Sequence, residues 1–264
     1  MTLPPPRKIG AVNWIGIRTL VWKEVLRFLK VWMQTTIAPV VTTLIFLSIF
    51  TLALGRSMQV LGGVSFVEFL APGLIMMAII QNAYANTAGS VMMAKIQGNI
   101  IDLLMPPISP GELTLGLALG GMLRGVMVAI LVGISLAFFV PLEIKHPLVI
   151  VYFALSAALM LALIGLLTGI VADKFDQQAA VSNFVIMPLS FLSGTFYSIE
   201  RLPPVWQDVA LFNPFFYMID GFRYGFIDHA DAPLAYGIAV TAAINAALWA
   251  TCHIMIARGY KLKT

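Results

Sequence analysis

The stretch of sequence that decides the fold is PLSFLSGTFYSIERLPPVWQDVALFNPFFYMIDGFRYGF, residues 188–226. Its start is as apolar as the end of a membrane helix, but Pro188, Pro203, Pro204 and Pro214 interrupt it. Because a proline nitrogen cannot donate within a helix and suits its first turn, the resulting pieces are too short to cross a bilayer. Irregular backbone at membrane depth needs cover from protein or from a water-filled path. The stretch therefore predicts a broken, re-entrant segment and a candidate gate.

The composition of the whole chain indicates an all-α integral membrane protein. Of its 264 residues, 60% are hydrophobic and 11% are charged, so most of the chain is expected in lipid rather than around a soluble core. The single cysteine, Cys252, excludes an intramolecular disulfide. Basic residues grouped beside apolar segments give the net charge of +4, which reports membrane orientation and predicts no nucleic-acid partner.

Six segments with little or no charge are each long enough to cross about 30 Å of hydrocarbon as a helix. They are residues 33–55, 69–94, 113–140, 147–172, 177–197 and 232–257. With both termini on the inner side, eleven lysines and arginines fall in inner segments and four in outer segments. Since such residues favour the cytoplasmic side, the sequence predicts six spans with both termini in the cytoplasm. Residues 198–228 then form outer re-entrant helices before the last span.

Residues 13–32 are predicted to form a basic amphipathic helix. On a helical wheel, a broad apolar face rich in tryptophan lies opposite Lys23, Arg27 and Lys30. This pattern is typical of a helix that lies in the membrane interface with its tryptophans at headgroup depth. A target helix for a calmodulin-like protein is the alternative interpretation.

Polar side chains inside the predicted spans mark a candidate translocation path. Gln81 and Asn82 lie in the second span, and Arg124 lies near the middle of the third, where an isolated charge is costly. We expect Arg124 to bond an amide such as Asn82 or Asn183, or a free carbonyl of the broken segment; binding an anionic substrate is an alternative. The full candidate set is Gln81, Asn82, Arg124, Asn183, Met187, Ser190 and Thr195. Packing between helices or between two copies of the chain explains each of them equally well.

The candidate gate has its own internal pattern. Asn213 can cap a helix that has Pro214 in its first turn, and Asp220 and Arg223 are then spaced three residues apart, close enough to pair. We predict that such a pair fixes one geometry of the gate. The candidate gate residues are Phe196, Tyr197, Phe215, Phe216, Asp220 and Arg223.

A short helix is predicted at residues 98–105, between the second and third spans. Its apolar side chains and Asp102 could insert into a groove of a partner, and Pro106 and Pro107 end it. An ordinary proline-rich turn is the equally weighted alternative.

Several kinds of catalytic motif are absent from the sequence. It has no GxxxxGK[ST] phosphate loop, no HExxH and no Cys/His pair at ligand spacing, so we expect no catalytic residue, no metal site and no cofactor in this chain. An ion-coupled secondary transporter would need intramembrane carboxylates, and commonly an internal repeat. A lipid-modifying membrane enzyme would need a catalytic cluster. Both stay open as less favoured alternatives.

Four segments carry a resemblance to a known family. They are FLSGTFYSIERLPPVWQ (residues 191–207), NPFFYMIDGFRYG (residues 213–225), GNIIDLLMPPISPGE (residues 98–112) and APGLIMMAIIQNAYAN (residues 71–86). They resemble the permease subunits of ABC-2 type transporters, exporters of bacterial inner membranes, and the similarity covers nearly the whole chain. The resemblance implies a single ABC-2 type transmembrane domain over residues 1–264. It also implies a homodimer that carries two separate ATPase subunits, which bind the ATP and Mg.

The resemblance further implies roles for the inner elements. The region of residues 13–32 corresponds to a helix that helps to seat the ATPase, and residues 98–105 correspond to a coupling helix inserted into it. The family more often has Glu at the position of Asp102. The implied coupling residues are Lys23, Glu24, Arg27, Asn99, Ile100, Ile101, Asp102, Leu103, Leu104 and Met105.

Overall fold

The computed structural model describes residues 10–54, 60–61, 64–199 and 202–262. Parts of three predictions lie outside these residues. They are the last residue of the 33–55 span, residues 200–201 of the outer segment, and five of the cations counted for orientation, Arg7, Lys8, Arg56, Arg201 and Lys263.

The described chain is helical apart from one small antiparallel hairpin. Its elements in chain order are α1 (Trp14–Leu29), a π-helical turn (Met33–Ile37), α2 (Ala38–Leu54), β1 (Val60–Leu61), β2 (Val64–Ser65), α3 (Phe66–Ile96), α4 (Ile100–Leu104), α5 (Pro110–Ala137), α6 (Pro147–Val171), α7 (Phe175–Val181), a second π-helical turn (Ser182–Ile186), α8 (Met187–Leu192), α9 (Pro204–Leu211), α10 (Pro214–Ile227) and α11 (Leu234–Ala257).

The helices begin where the sequence supplies caps. Helix α5 opens with a capping box, in which Ser109 and Glu112 each accept a backbone N–H of the other, and Pro110 occupies the first helical position. Asn213 caps α10 in the predicted way, since its side-chain oxygen accepts the N–H of Phe215 at 3.0 Å. Local chemistry therefore fixes both starts before any tertiary contact forms.

Five helices of the described chain are long and apolar enough to cross a membrane: residues 33–53, α3, α5, α6 and α11. Helix α3 is the central one, because 83% of an apolar 18-residue stretch of this helix is buried inside the protein. The corresponding fraction is 11% for residues 33–53 and 17% for α11, so these two lie at the periphery. The chain is thus a multi-pass membrane protein built around α3.

Helices α6 and α11 run side by side in the same direction. The Tyr152 hydroxyl, near the start of α6, donates to the Ile238 carbonyl near the start of α11 at 2.9 Å. At the other end, the Lys261 ammonium donates to the Val171 carbonyl at 3.0 Å. In the chain order, three elements link α6 to α9, which precedes α10 and α11. These three elements, α7, the second π-helical turn and α8, follow one another without a break over residues 175–192. This segment coincides with most of the predicted span 177–197, and its crossing of the membrane stays a prediction.

Glycines let the long helices approach closely, as the small-residue spacing of α5 and α6 predicts. A Cβ on Gly165 of α6 would lie 2.6 Å from the Tyr84 carbonyl oxygen of α3. A Cβ on Gly120 of α5 would lie 2.6 Å from the Cβ of Glu24 in α1. Both contacts need the absence of a side chain, and they pack α6 against α3 and α1 against the first half of α5.

Candidate functional site

A cleft opens between residues 33–53, α3 and the second π-helical turn. Its volume is about 340 Å³. The cleft is lined by Gln34, Ala38, Pro39, Thr42, Thr43, Phe46, Leu74, Met77, Ala78, Gln81, Asn82, Ala85, Ser182, Ile186 and Met187. All the polar groups in this lining are neutral amides and hydroxyls, so the cleft can take a polar, uncharged surface through hydrogen bonds.

Three of the predicted path residues, Gln81, Asn82 and Met187, line this cleft. The structure does not bring the other candidates to it. The buried hydroxyls of Ser190 and Thr195 donate to backbone carbonyls 2.7 Å away, where they brace the chain around α8. The structure thus brings three of the seven candidates to one cleft, and their role in a translocation path stays a prediction.

Arg124 of α5 contacts Asn82 of α3. Its Nη2 donates to the Asn82 Oδ1 at 3.2 Å, which is one of the two amide contacts expected from the sequence. The other expected amide, Asn183, is exposed. Arg124 therefore acts on the cleft through the orientation of the Asn82 amide.

Glu24 of α1, one of the implied coupling residues, is fully buried, so its carboxylate cannot touch an ATPase directly, and a coupling role through its neighbours stays a prediction. Its side chain is 0% exposed, and its carboxylate accepts from Arg27 at 2.8 Å and from the Ser90 hydroxyl at 2.7 Å. Arg27 also donates to the backbone and side-chain carbonyls of Asn86, at 2.8 and 2.9 Å. A buried carboxylate needs such a partner, and this one fastens α1 to α3.

Helix α1 packs on the protein through a different face from the predicted apolar one. Ile17, Leu20 and Phe28 are buried together with Glu24, while Trp22 is 60% exposed. The difference arises because Gly116 and Gly120 of α5 offer a groove to Leu20 and Glu24. The exposed tryptophans stay free to face lipid.

The start of α1 is tied to the loop that follows α4. The backbone N–H of Asn13 donates to Glu112 Oε1 at 2.5 Å, and its side-chain amide donates to the Pro107 carbonyl at 3.0 Å. The two elements predicted to contact a partner are therefore neighbours at one end of the molecule.

Helix α4 divides its apolar side chains between the core and the surface. Ile100 and Leu103 are buried, at 5% and 8% exposure. Ile101, Leu104 and Met105 are 58%, 36% and 79% exposed, and we call these three the α4 surface. Asn99 and Asp102 are exposed beside it. The arrangement anchors a small helix while it presents an apolar knob, as insertion into a partner groove requires.

A charged clasp closes the same end. Lys95 Nζ donates to the carbonyls of Ile170 and Ala172, at 2.9 and 2.7 Å, where the end of α6 leaves carbonyls free. Asp173 lies 2.9 Å from Lys261 and 3.5 Å from Lys95. The hydrogen bond from Lys261 holds the pKa of the Asp173 carboxyl below its ordinary value. The clasp joins the ends of α3, α6 and α11.

Only one of the predicted gate aromatics stands over the cleft. The Phe196 ring is 4.4 Å from the Phe50 ring, 5.4 Å from Phe191 and 6.2 Å from Phe46, centroid to centroid. We call these four residues the outer aromatic cluster, and its member Phe46 also lines the cleft.

The other gate aromatics point elsewhere. The Phe216 ring contacts the Tyr217 ring in a tilted arrangement, with centroids 5.1 Å apart, and Phe215 is buried in the main core. The Tyr197 hydroxyl donates to the Leu192 carbonyl at 3.3 Å. The sequence spacing alone did not separate these rings from the cluster.

The predicted ion pair between Asp220 and Arg223 is wrong, since no ion pair within 4 Å joins these two described residues. Asp220 instead accepts the backbone N–H groups of Asp231 and Ala232, at 2.9 and 3.1 Å. Arg223 Nη2 donates to the Gly194 carbonyl at 2.6 Å. Buried backbone groups need partners, and they compete successfully for both charged side chains.

The sequence analysis did not predict that the Glu24 carboxylate is buried and that it joins α1 to α3. A signal for it exists, because Glu24 shares a helical stripe with Ile17, Leu20 and Phe28, the buried residues of α1. A carboxylate on the buried stripe of a helix predicts a buried partner. The partners Ser90 and Asn86 come from a distant segment and could not be inferred from spacing.

Known proteins resemble the chain over most of its length. The model of the ABC-2 type transporter family matches residues 16–227. The inner membrane transport permease YadH of Escherichia coli (strain K12) is 39% identical over 251 residues, which cover 95% of this chain and 98% of that protein. Nodulation protein J of Rhizobium leguminosarum bv. viciae is 26% identical over 223 residues, covering 81% of this chain and 82% of that protein. The chain therefore belongs to the ABC-2 type transporter family.

Proposed function

We propose that this chain is the permease subunit of an ATP-driven exporter of the bacterial inner membrane. Two copies form the translocation path, and two separate ATPase subunits bind ATP and Mg and drive alternating exposure of that path. The name of the YadH relative, an inner membrane transport permease, supports the location and the role in transport.

The observation that carries the proposal is the α4 surface beside the start of α1. Three apolar side chains with substantial exposure stand on a helix whose other face is anchored in the core. An apolar helix face of this kind fits a groove on a partner protein. The bonds from Asn13 to Glu112 and Pro107 place α1 next to it, so an ATPase seated there would touch both elements. Lys23 and Arg27, partly exposed, extend the same contact.

The parallel course of α6 and α11 supports six membrane crossings. Since both helices end at the charged clasp, the chain must return across the membrane between them. Residues 175–192 form the helical segment available for that return, and their start is polar, with Asp176, Gln177 and Gln178. With six crossings, both termini would lie on the same side as the α4 surface, and the distribution of Lys and Arg favours the cytoplasm for that side.

We propose that the cleft is the half of the translocation path that one copy of the chain contributes. It opens beside the peripheral helix of residues 33–53, where a second copy could close it. Residues 198–228 are the proposed outer re-entrant segment, and the outer aromatic cluster closes the outer end through Phe196 and Phe46. Binding of ATP would move α1 and α4, and the Glu24 and Arg27 contacts with α3 would carry that motion to the wall of the cleft.

Co-purification tests the proposal. A tagged chain is extracted gently from its native membrane, and we expect it to retain an ATPase subunit in a one-to-one ratio. The double variant Ile101→Ser with Met105→Ser should lose most of that ATPase without a fall in its own unfolding midpoint. Phe212→Ser is the matched control, because Phe212 is 89% exposed at the end of α9, in the segment proposed for the outer side, and this variant should keep the ATPase. Equal retention by all three proteins, or no ATPase with the wild type, would contradict the proposal.

A further inference from the structure

The junction of α1, α3 and α5 carries more positive than negative charge. Lys23, Arg27 and Arg124 meet there with one carboxylate, that of Glu24. Glu24 is occupied by Arg27 at 2.8 Å, with Lys23 at 3.9 Å. Among the described residues, Arg124 has no carboxylate within 4 Å; its side chain donates instead to the neutral amide of Asn82. Three positive side chains thus meet one carboxylate, and the charge of Arg124 is left without a carboxylate partner.

Two buried donors at the same junction lack a hydrogen-bond partner in the part of the chain that the structure describes. They are Nδ2 of Asn86, a residue that is 0% exposed, and Nε of Arg124. The Asn86 nitrogen is 3.7 Å from the position that a Cβ on Gly120 would take. Arg124 follows Gly120 by one helical turn, and helical side chains lean towards the preceding turn. Both donors thus lie on the same contact between α3 and α5.

The side chains around Arg124 also come from a single face of α3. Asn82 and Asn86 are four residues apart, so their side chains are neighbours on that face. Asn82 accepts from Arg124, and Asn86 accepts from Arg27. The two guanidinium groups are thereby held on adjacent turns, which is a geometry suited to one ligand with several acceptor oxygens.

The membrane-crossing helices of a second copy could not supply a carboxylate at this depth. In the described membrane-crossing helices, the acidic residues are Glu68 and Glu112, each the third residue of its helix. Arg124 is in the middle of α5. A charge so placed in a membrane protein is paired or marks a binding site.

We propose that this junction binds an oxyanion, a phosphate or carboxylate group, through Arg124 and Asn86 with Arg27 nearby. Each anionic oxygen accepts strongly from a guanidinium, and the group satisfies both donors and the charge of Arg124 together. The anion can come from the headgroup of an anionic phospholipid, which the exposed Trp22 and Lys23 of α1 would adjoin, or from a small free anion. Through Arg124, the bound anion would hold the Asn82 amide at the wall of the cleft.

Thermal unfolding of the purified full-length chain, with its ATPase where one co-purifies, tests the site. In one arm, sodium phosphate or sodium acetate replaces sodium chloride at constant ionic strength in a neutral detergent. In the other arm, discs of phosphatidylcholine are compared with discs that contain phosphatidylglycerol. A ligand bound to the folded state raises the unfolding midpoint, and we expect a rise of about 3 °C or more near saturation in the wild type.

Arg124→Gln should abolish that rise. Arg18→Gln is the matched control, because Arg18 is an exposed arginine of α1 outside the junction, and its loss should leave the rise intact. If Arg124→Gln does not fold, Arg124→Lys replaces it; this variant keeps the charge but lacks Nε, and it should need about tenfold more ligand for half of the effect.

The outcomes separate the sources of the anion. A rise with phosphate or acetate in detergent indicates a free anion, and a rise confined to phosphatidylglycerol indicates a lipid headgroup. No rise in either arm, or an equal rise in Arg124→Gln, overturns the proposal and leaves water as the partner of the two donors. None of these measurements needs transport or ATP hydrolysis, so the site stands or falls independently of the proposed exporter.

Discussion

The guanidinium carbon of Arg223 lies 3.8 Å from the centre of the Phe69 ring, and Arg223 Nε donates to the Phe69 carbonyl at 3.3 Å. Arg223 is 2% exposed, and it also holds the Gly194 carbonyl. One side chain thus joins α10, the start of α3 and the turn after α8. Arg223, which was predicted as a gate residue, therefore donates to backbone carbonyls and not to the neighbouring Asp220.

Arg223→Met should therefore destabilise the protein strongly. The change removes the side-chain donor of the buried Gly194 and Phe69 carbonyls and the cation over the ring, which together cost about 3 kcal/mol. The unfolding midpoint in detergent measures the loss. Arg18→Met, which removes an exposed arginine, is the control and should change the midpoint little. Equal shifts for the two variants would show that the Arg223 contacts contribute nothing to stability.

Asp220 should act locally, on the loop that leads into α11. Asp220→Ala removes the acceptor of the Asp231 and Ala232 amides. A hydrogen bond to a charged group contributes about 1.5–3 kcal/mol, so these amides should exchange with deuterium at least about tenfold faster. Asp208→Ala, at an exposed site on α9, is the control. Unchanged exchange of both amides in Asp220→Ala would mean that another group holds this loop.

Two glycines of the core form a matched pair for a packing test. A Cβ on Gly165 would lie 2.6 Å from the Tyr84 carbonyl oxygen, whereas a Cβ on Gly89 would meet nothing within 4 Å. Gly165→Ala should separate α3 from α6 and destabilise by about 1–3 kcal/mol. Gly89→Ala should stabilise by about 0.5–1 kcal/mol, because alanine favours the helix. The two unfolding midpoints should move in opposite directions, and a fall in both would contradict this account of the α3–α6 contact.

The elements that local chemistry specifies were predictable, and those that depend on distant partners were not. The charge-free segments gave the long helices, and the pair Asn213 and Pro214 gave the start of α10. The contact of Arg124 with Asn82 followed from the cost of a lone charge in the membrane. The burial of Glu24 did not follow, because it requires a glycine of α5 and a serine of α3 to meet one turn of α1.

The charged clasp should show a defined pH dependence. The hydrogen bond from Lys261 holds the folded-state pKa of Asp173 below its value in the unfolded chain, about 3.9. A lowered carboxyl pKa contributes stability that is fully present above the unfolded-state pKa and is lost as the pH falls through the folded-state pKa. The difference in unfolding midpoint between the wild type and Asp173→Asn should thus be the same at pH 7 and pH 5 and shrink below about pH 3.9. A difference that already shrinks between pH 7 and pH 5 would assign the titration to another group.

The cleft should be wet, which a thiol probe can measure. Gln81 lines the cleft, so Gln81→Cys should react with a water-soluble maleimide, since the reactive thiolate forms only in contact with water. The native Cys252 is 0% exposed and should stay unlabelled, which leaves its background low. Ile130→Cys is the control, because Ile130 is 57% exposed but lies in an apolar groove between α5 and α6, where lipid would keep the thiol protonated. Labelling of Gln81→Cys should exceed that of Ile130→Cys by about tenfold or more, as expected when a thiolate is compared with a thiol in an apolar site. Equal labelling at the two positions would mean that the cleft is filled by lipid or protein, and the polar amides of α3 would then serve packing rather than passage.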